Sequence, residues 1–198
     1  TLFGTAVASE PGTRRIVGVA AQGMTACPCA QQLVAGAARE RLSGDGFSDD
    51  EIERILDHVP VAPHNQRGLG TLHLGLPEGS DVDVEAARLV GIVEESMSSE
   101  IYELMKRSDE GAVVEKAHRR PRFVEDCVRE MVRGVIEGFA DLEDGVFVSA
   151  RQENLETIHQ HNVVAERFGL LGELRREVAS GEHLLHHTSM REWLDAAR

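Results

Sequence analysis

The chain of 198 residues carries 34 acidic against 21 basic residues, a formal net charge of -13, and is 41% hydrophobic. That length and apolar content supply the core of one large domain or a pair of small ones, whereas the acidic excess argues against a nucleic-acid or anionic-membrane surface, since both need Lys and Arg to replace counterions. Three cysteines are too sparse for a disulfide framework, so the thiols are expected to be reduced. The opening TLFGTAVASEPGTRR lacks the basic start and long apolar stretch of a signal peptide, and no run approaches the ~18 apolar residues of a membrane span, so a cytoplasmic location is expected.

In chain order, RIVGVAAQGMTA (15–26) mixes branched apolar residues with glycine and predicts a strand that runs into Cys27. Helix formers follow from Ala30 to Leu42, and FSDDEIERILDHV (47–59) offers Ser48 and Glu51 as a capping box, so about 30–60 reads as a helical insert. PHNQRGLGTLHLGLPEG (63–79) alternates Leu72, Leu74 and Leu76, which predicts a strand opened by His64. Residues 84–107 repeat Leu89, Val93, Met97, Ile101 and Leu104 or Met105 at helical spacing and predict one long amphipathic helix, followed by a loop at Gly111. A second helix opens at Pro121, with Val124, Val128, Met131 or Val132, Val135 and Phe139 on its apolar stripe. Strands are expected over 146–158 and 162–169, then a charged helical tail broken at Gly181, on which His183, His186 and His187 read as solvated and inert. Strands, two long helices and strands make an α+β fold: an antiparallel sheet with its helices layered on one face. No internal repeat, low-complexity tract or linker interrupts it. Lys106 and Lys116 are the only lysines, a usage that fits a halophilic, GC-rich source and equally codon bias alone.

MTACPCAQ (24–31) poses the chemical question, because Cys27 and Cys29 lie two apart around Pro28. A closed structural zinc site wants four thiolate or imidazole ligands, commonly in CxxC or HxxxH pairs, and neither spacing occurs. Cys127 falls at a core position of the second helix and is expected to pack as a small apolar residue. The richest polar cluster elsewhere is ENLETIHQH (153–161), with Glu156 and His159 three apart and His161 two further on. ExxH alone is a weak signal. A thiolate, an imidazole and carboxylates together would suit zinc, ferrous iron or manganese in a catalytic role.

CPC within MTACPCAQ, HNQRG (64–68), SSEIYELMKRSDEGAVVEKA (98–117), PRFVEDCVR (121–129) and ENLETIHQHN (153–162) occur in this order over roughly residues 16–168. Together they resemble the type IB GTP cyclohydrolase family, and the insert between CPC and HNQR resembles its archaeal branch. The resemblance implies a tunnelling fold, in which ββααββ units assemble into a barrel with helices outside. It also implies a homo-oligomer, expected as a tetramer, with active sites between subunits. It divides the chain into a catalytic unit over 1–170 and a helical tail over 171–198. Family members carry a further portion ahead of the strand at 15, so the chain looks like the C-terminal part of such a protein. Thr157 stands where the family has serine.

The same resemblance implies a metal-dependent hydrolase of GTP, forming a 7,8-dihydroneopterin phosphate for archaeal pterin biosynthesis. The 2',3'-cyclic phosphate is the product of the archaeal branch and the triphosphate that of the bacterial one. Cys27, Glu110, Glu156 and His159 would ligate one divalent metal, Fe(II), Mn(II) or Zn(II). Glu125 would grip the guanine edge, whose adjacent N-H donors suit a carboxylate, and its alternative is a solvated acid in a helix first turn. His64 would stand by the reacting centre, where an imidazole titrating near neutrality moves a proton at little cost. The triphosphate would draw on Arg67 and Arg107 from a cluster that also holds Lys106, Arg119, Arg120 and Arg122, each of which reads equally well as an exposed charge balancing acid. Two other classes are kept open: an enzyme of the same fold with a free nucleophilic cysteine, such as a nitrile reductase, and a non-catalytic GTP-binding or assembly module.

Overall fold

The computed structural model describes residues 1–9 and 12–196, so the last two positions of the expected tail lie outside the described residues. Two strands open the fold, β1 (Leu2–Ser9) and β2 (Gly12–Ala26), followed by the paired helices α1 (Pro28–Gly44) and α2 (Asp49–His58). The chain returns through β3 (Asn65–Leu76), α3 (Ala86–Ser96), a two-residue β4 (Ser99–Glu100), α4 (Arg107–Arg119) and α5 (Val124–Gly138). It closes with β5 (Phe147–Leu155), β6 (Val163–Leu170), α6 (Leu171–Ser180) and α7 (Met190–Asp195). The strands form one antiparallel sheet in the order β1-β2-β3-β5-β6, with β4 pairing β2 at Gly23 and Met24. A single chain therefore forms an open sheet whose outer strands are β1 and β6. No helix among the described residues is long and apolar enough to cross a membrane.

Strand alternation decides which face is covered. Val19 on β2, Leu72, Leu74 and Leu76 on β3, and Val148 and Ala150 on β5 all point to one side and are buried there. α3 and α5 lie on that face and on each other, inserting Leu89, Val93, Cys127, Met131 and Val135. Each fully buried Leu or Val contributes about 1.5–3 kcal/mol relative to exposure, which accounts for the two helices being held by their apolar stripes. The expected α+β architecture, with two helices on one face, is the observed one. The insert is helical as expected, with the Ser48 N-H donating to Glu51 at 2.9 Å in the capping box.

The region 84–107 departs from the expected single helix. α3 stops at Ser96, whose hydroxyl donates to the Val93 carbonyl at 2.7 Å. Ser98 then accepts the Ala26 N-H at 3.0 Å, and Ser99 and Glu100 pair with β2. Unpaired donors and acceptors on β2 thus outweigh the helical spacing that continues through Met97 and Ile101. Gly111 is not in a loop either: it lies inside α4, an exposed helix that absorbs the roughly 1 kcal/mol a glycine costs there. β1 was not anticipated: its residues from Leu2 to Ala6 are all exposed, so no alternation of buried and exposed positions marks it.

The tail is less solvated than expected. α6 buries Leu171 and Leu174, Gly181 ends it in the left-handed conformation at φ 73°, and α7 carries Trp193 back onto the helix-free face of the sheet. There the indole packs on Phe147 with ring centroids 5.7 Å apart, lies 4.6 Å from the Arg14 guanidinium and donates to the Gly145 carbonyl at 3.0 Å. A Cβ at Gly75 would sit 2.7 Å from the indole ring, so β3 is glycine where the tail crosses it. His183 and His186 are exposed, but His187 is half-buried against Glu177 at 3.1 Å and Arg167 at 2.8 Å.

Burial alone would raise the Glu177 carboxyl, but Arg167, the Leu184 N-H and His187 together hold it at about 2, below its ordinary 4.5. A depressed carboxyl contributes stability that is fully present above pH 4.5 and lost as pH falls toward 2. Acidification through that window is therefore expected to release the tail. Trp193 is the chain's single tryptophan, so its emission should shift to the red there. Glu177→Gln should already show part of that shift at neutral pH; identical emission profiles in variant and wild type would count against the assignment.

Candidate active site

Three strand ends coincide at one end of the sheet. Ala26, last on β2, pairs with Asn65, first on β3, and Arg67 two residues later pairs with Leu155, last on β5. The residues just beyond these ends are Cys27, His64 and the 156–161 loop, so the sheet register itself gathers side chains that are far apart in sequence. The Cys27 N-H donates to the His64 carbonyl at 3.1 Å, and the Thr157 hydroxyl donates to the Asn65 carbonyl at 3.0 Å. The serine-to-threonine departure keeps the hydroxyl, which is the part this contact uses. His64 and His159 approach edge to face with centroids 6.4 Å apart, and His159 stacks on His161 at 5.4 Å.

Cys27 caps α1. Its sulfur accepts the Ala30 N-H at 3.4 Å, at the helix end that carries partial positive charge. Pro28 occupies the first turn, as its fixed φ favours. Because the helix begins at Pro28, Cys29 lies in its first turn and is exposed on α1. Cys127 packs in the core as expected, where burial pushes its thiol up to about 12.

Among the buried polar atoms without a partner among the described residues are His64 Nδ1 and Glu156 Oε2, and at the same sheet end also Thr25 Oγ1 and Gln66 Oε1. Such atoms cost about 1–3 kcal/mol each when left unsatisfied, and His64 and Glu156 flank the strand ends just beyond which Cys27 lies. Among the described residues no three His, Cys, Asp or Glu side chains are gathered closely enough to hold a metal ion as they stand. The donor set of thiolate, imidazole and an unpaired carboxylate nonetheless has the chemistry of a zinc, ferrous iron or manganese site, and the orphaned Glu156 oxygen is what such a site would use.

Glu110 stands apart from this group. It is exposed on the first turn of α4, whose last turn reaches the sheet end through His118. They lie eight positions apart on the helix, about 12 Å of rise. Glu125 is likewise exposed, on the first turn of α5, and faces a groove between α5, β6 and α6 that Val128, Val132, Leu174 and Val178 line. The start of α5 is tied to the sheet end by the Arg122 N-H, which donates to Ala26 O at 3.0 Å.

The basic cluster divides. Arg67 is exposed and donates to Gln22 at 3.2 Å, and Arg107 is exposed at the start of α4. Arg119 is bound to Glu115 and the Asp57 carbonyl, Arg120 to the Glu95 carbonyl at 2.6 Å, and Arg122 to Glu130 at 3.4 Å. These last three serve the chain's own packing. The sequence reading did not single out Asn65 or His118. Asn65 is marked only by its place in HNQRG, and nothing in the sequence pairs it with a histidine 53 positions away.

A family model described as type I GTP cyclohydrolase folE2 matches residues 2–165. The chain is 50% identical over 165 residues to a protein named GTP cyclohydrolase MptA from Methanococcus aeolicus, covering 83% of this chain and 53% of that protein. It is 48% identical over 168 residues to the protein of that name from Methanocaldococcus jannaschii, covering 85% and 53%. With its Methanosarcina mazei namesake it shares 45% identity over 166 residues, covering 84% and 52%. The chain thus spans about half the length of the curated relatives it matches.

Proposed function

The chain belongs to the type I GTP cyclohydrolase family, and from that premise we propose that it carries the catalytic unit of a metal-dependent GTP cyclohydrolase of the IB type. The reaction opens the guanine imidazole ring at C8, releases formate and closes a 7,8-dihydroneopterin phosphate, the 2',3'-cyclic phosphate in archaeal pterin biosynthesis. The observation that carries the reading is the convergence of Cys27, His64, Glu156 and His159 at the coincident ends of β2, β3 and β5.

In this reading Cys27, Glu156 and His159 hold the metal, with Glu110 as the fourth donor. A bound Fe(II), Mn(II) or Zn(II) ion supplies Lewis acidity that brings the pKa of water from 15.7 toward about 7. His64 presents an Nδ1 with no partner among the described residues, free to hold or deliver the proton that the departing ring nitrogen needs. Glu125 accepts the guanine N-H pair, and Arg67 and Arg107 meet the phosphates, which must find cations on an otherwise acidic surface. Residues 1–170 act as the tunnelling-fold unit and 171–198 as an appended helical tail. Strands β1 and β6, left open in one chain, pair with neighbouring copies into a barrel, as sheet edges of this kind do. A homotetramer with GTP bound between subunits is expected, and light scattering that reports a monomer with metal present would count against it.

The test is direct. Purified protein supplied anaerobically with Mn(II), Fe(II) or Zn(II) should release formate from GTP and yield a pterin that fluoresces after oxidation. GTP binding without formate would leave a binding module and sink the enzymatic reading. Glu125→Gln should weaken GTP binding by roughly 10 to 150-fold, the equivalent of a charge-assisted bond of about 1.5–3 kcal/mol, because its NH2 faces a guanine donor. Metal content should stay the same, and an unchanged GTP affinity in equilibrium dialysis would remove Glu125 from the site.

A further inference from the structure

Asn65 is where three separate pieces of the chain meet. Its backbone pairs with Ala26 at the end of β2, immediately before Cys27. Its carbonyl oxygen accepts the hydroxyl of Thr157, which lies between Glu156 and His159. Its side-chain amide nitrogen stands 3.3 Å from Nε2 of His118, on the last turn of α4. Asn65 also follows His64 directly, and the His64 carbonyl receives the Cys27 N-H.

His118 is an unusual residue for its helix. α4 is largely exposed, yet His118 is only 4% exposed and shares burial on that helix with Ala117 alone. A buried ring nitrogen is costly unless bonded, so an apolar side chain would fill this space at lower cost if filling were all that was needed. The backbone at His118 is held as well: the Gln31 side-chain amide, on the helix that Cys27 caps, donates to the His118 main-chain carbonyl and to the Val61 carbonyl, the latter at 3.0 Å. Since the Asn65 amide nitrogen only donates, Nε2 is the acceptor in this pair.

We propose that Asn65 and His118 form a positioning pair that fixes the mutual placement of the Cys27 turn, His64 and the Glu156–His159 loop. The inference rests on the metal-ligand reading given above. Neither residue touches metal or substrate; each acts through the groups it holds. Hydrogen-bonded partners behind a ligand set of this kind typically change metal affinity by about 10 to 100-fold when removed.

Cobalt(II) binding to the metal-free protein tests this without turnover. Wild type should take up Co(II) with a thiolate-to-metal charge-transfer band that Cys27→Ala lacks. Asn65→Ala and His118→Leu should each weaken Co(II) binding by about 10 to 100-fold and alter the ligand-field bands. The double variant should be no worse than the poorer single one, because both substitutions break the same contact. His118→Gln, which returns an acceptor near the Nε2 position, should restore most of the affinity, a rescue that loss of packing alone would not give. Should His118→Leu fail to fold, Asn65→Ala and His118→Gln carry the comparison. Wild-type affinity and bands in Asn65→Ala, or losses that add in the double variant, would overturn the pair while leaving the metal reading in place. A wild type that takes up no cobalt through a thiolate would instead remove the metal reading, and the pair with it.

Discussion

Cys27→Ala is expected to abolish metal retention and GTP turnover together, while Cys127→Ala keeps both. The two thiols occupy opposite environments. Cys27 caps α1 and is half-buried just beyond the end of β2, with its N-H on the His64 carbonyl. Cys127 is fully buried among α3, α5 and the sheet, and burial keeps its thiol protonated at neutral pH, so it has no anion to offer a metal. Its removal should cost stability in the ordinary range for a core truncation, about 0.5–3 kcal/mol, visible in denaturant titration and nowhere else. Cys29→Ala should change neither, since that side chain lies exposed on α1. Elemental analysis of the three purified variants decides the matter, and full metal stoichiometry in Cys27→Ala would end the proposed ligand set.

His64→Ala is expected to lower turnover by about two to four orders of magnitude, the share a positioned acid or base contributes. GTP affinity should stay near that of wild type, and metal content should be unchanged, because His64 serves as a proton carrier and not as a ligand in this reading. The contrast with Glu125→Gln is the informative part: one variant binds and fails to react, the other binds poorly. Turnover intact in His64→Ala, or metal lost from it, would reassign the residue.

Much of the fold was readable where one local rule acts alone. Leu72, Leu74 and Leu76 alternate because one face of β3 is buried, and Ser48 with Glu51 caps α2 as spacing predicts. The reading failed where tertiary contacts override such rules. Met97 and Ile101 continue the helical stripe of α3, yet Ser98 and Ser99 leave it to satisfy β2. The motif segments marked Cys27, His64 and the 156–161 loop as chemical, and strand register then brought them to one place. Glu110 and Glu125 came from the same motifs but lie exposed on helix first turns, where nothing among the described residues bonds them to that group. The Asn65–His118 contact was invisible for a different reason: a hydrogen bond between residues 53 apart leaves no trace in composition or periodicity.

The long-range register at the sheet end also sets an order of events during folding. Thr157 reaches Asn65 across 92 residues, and Leu155 pairs with Arg67 only when β5 has docked on β3. Closing so long a loop is slow relative to forming α1, α2 or the β1–β2 hairpin, whose contacts are local. The sheet end beside Cys27, His64 and the 156–161 loop is therefore among the last parts of the chain to form, after the hydrophobic layer on the sheet has condensed. In a refolding experiment, tight cobalt uptake through the Cys27 thiolate should lag behind the recovery of helical circular dichroism, so that metal capture marks the completion of the native sheet instead of initiating it.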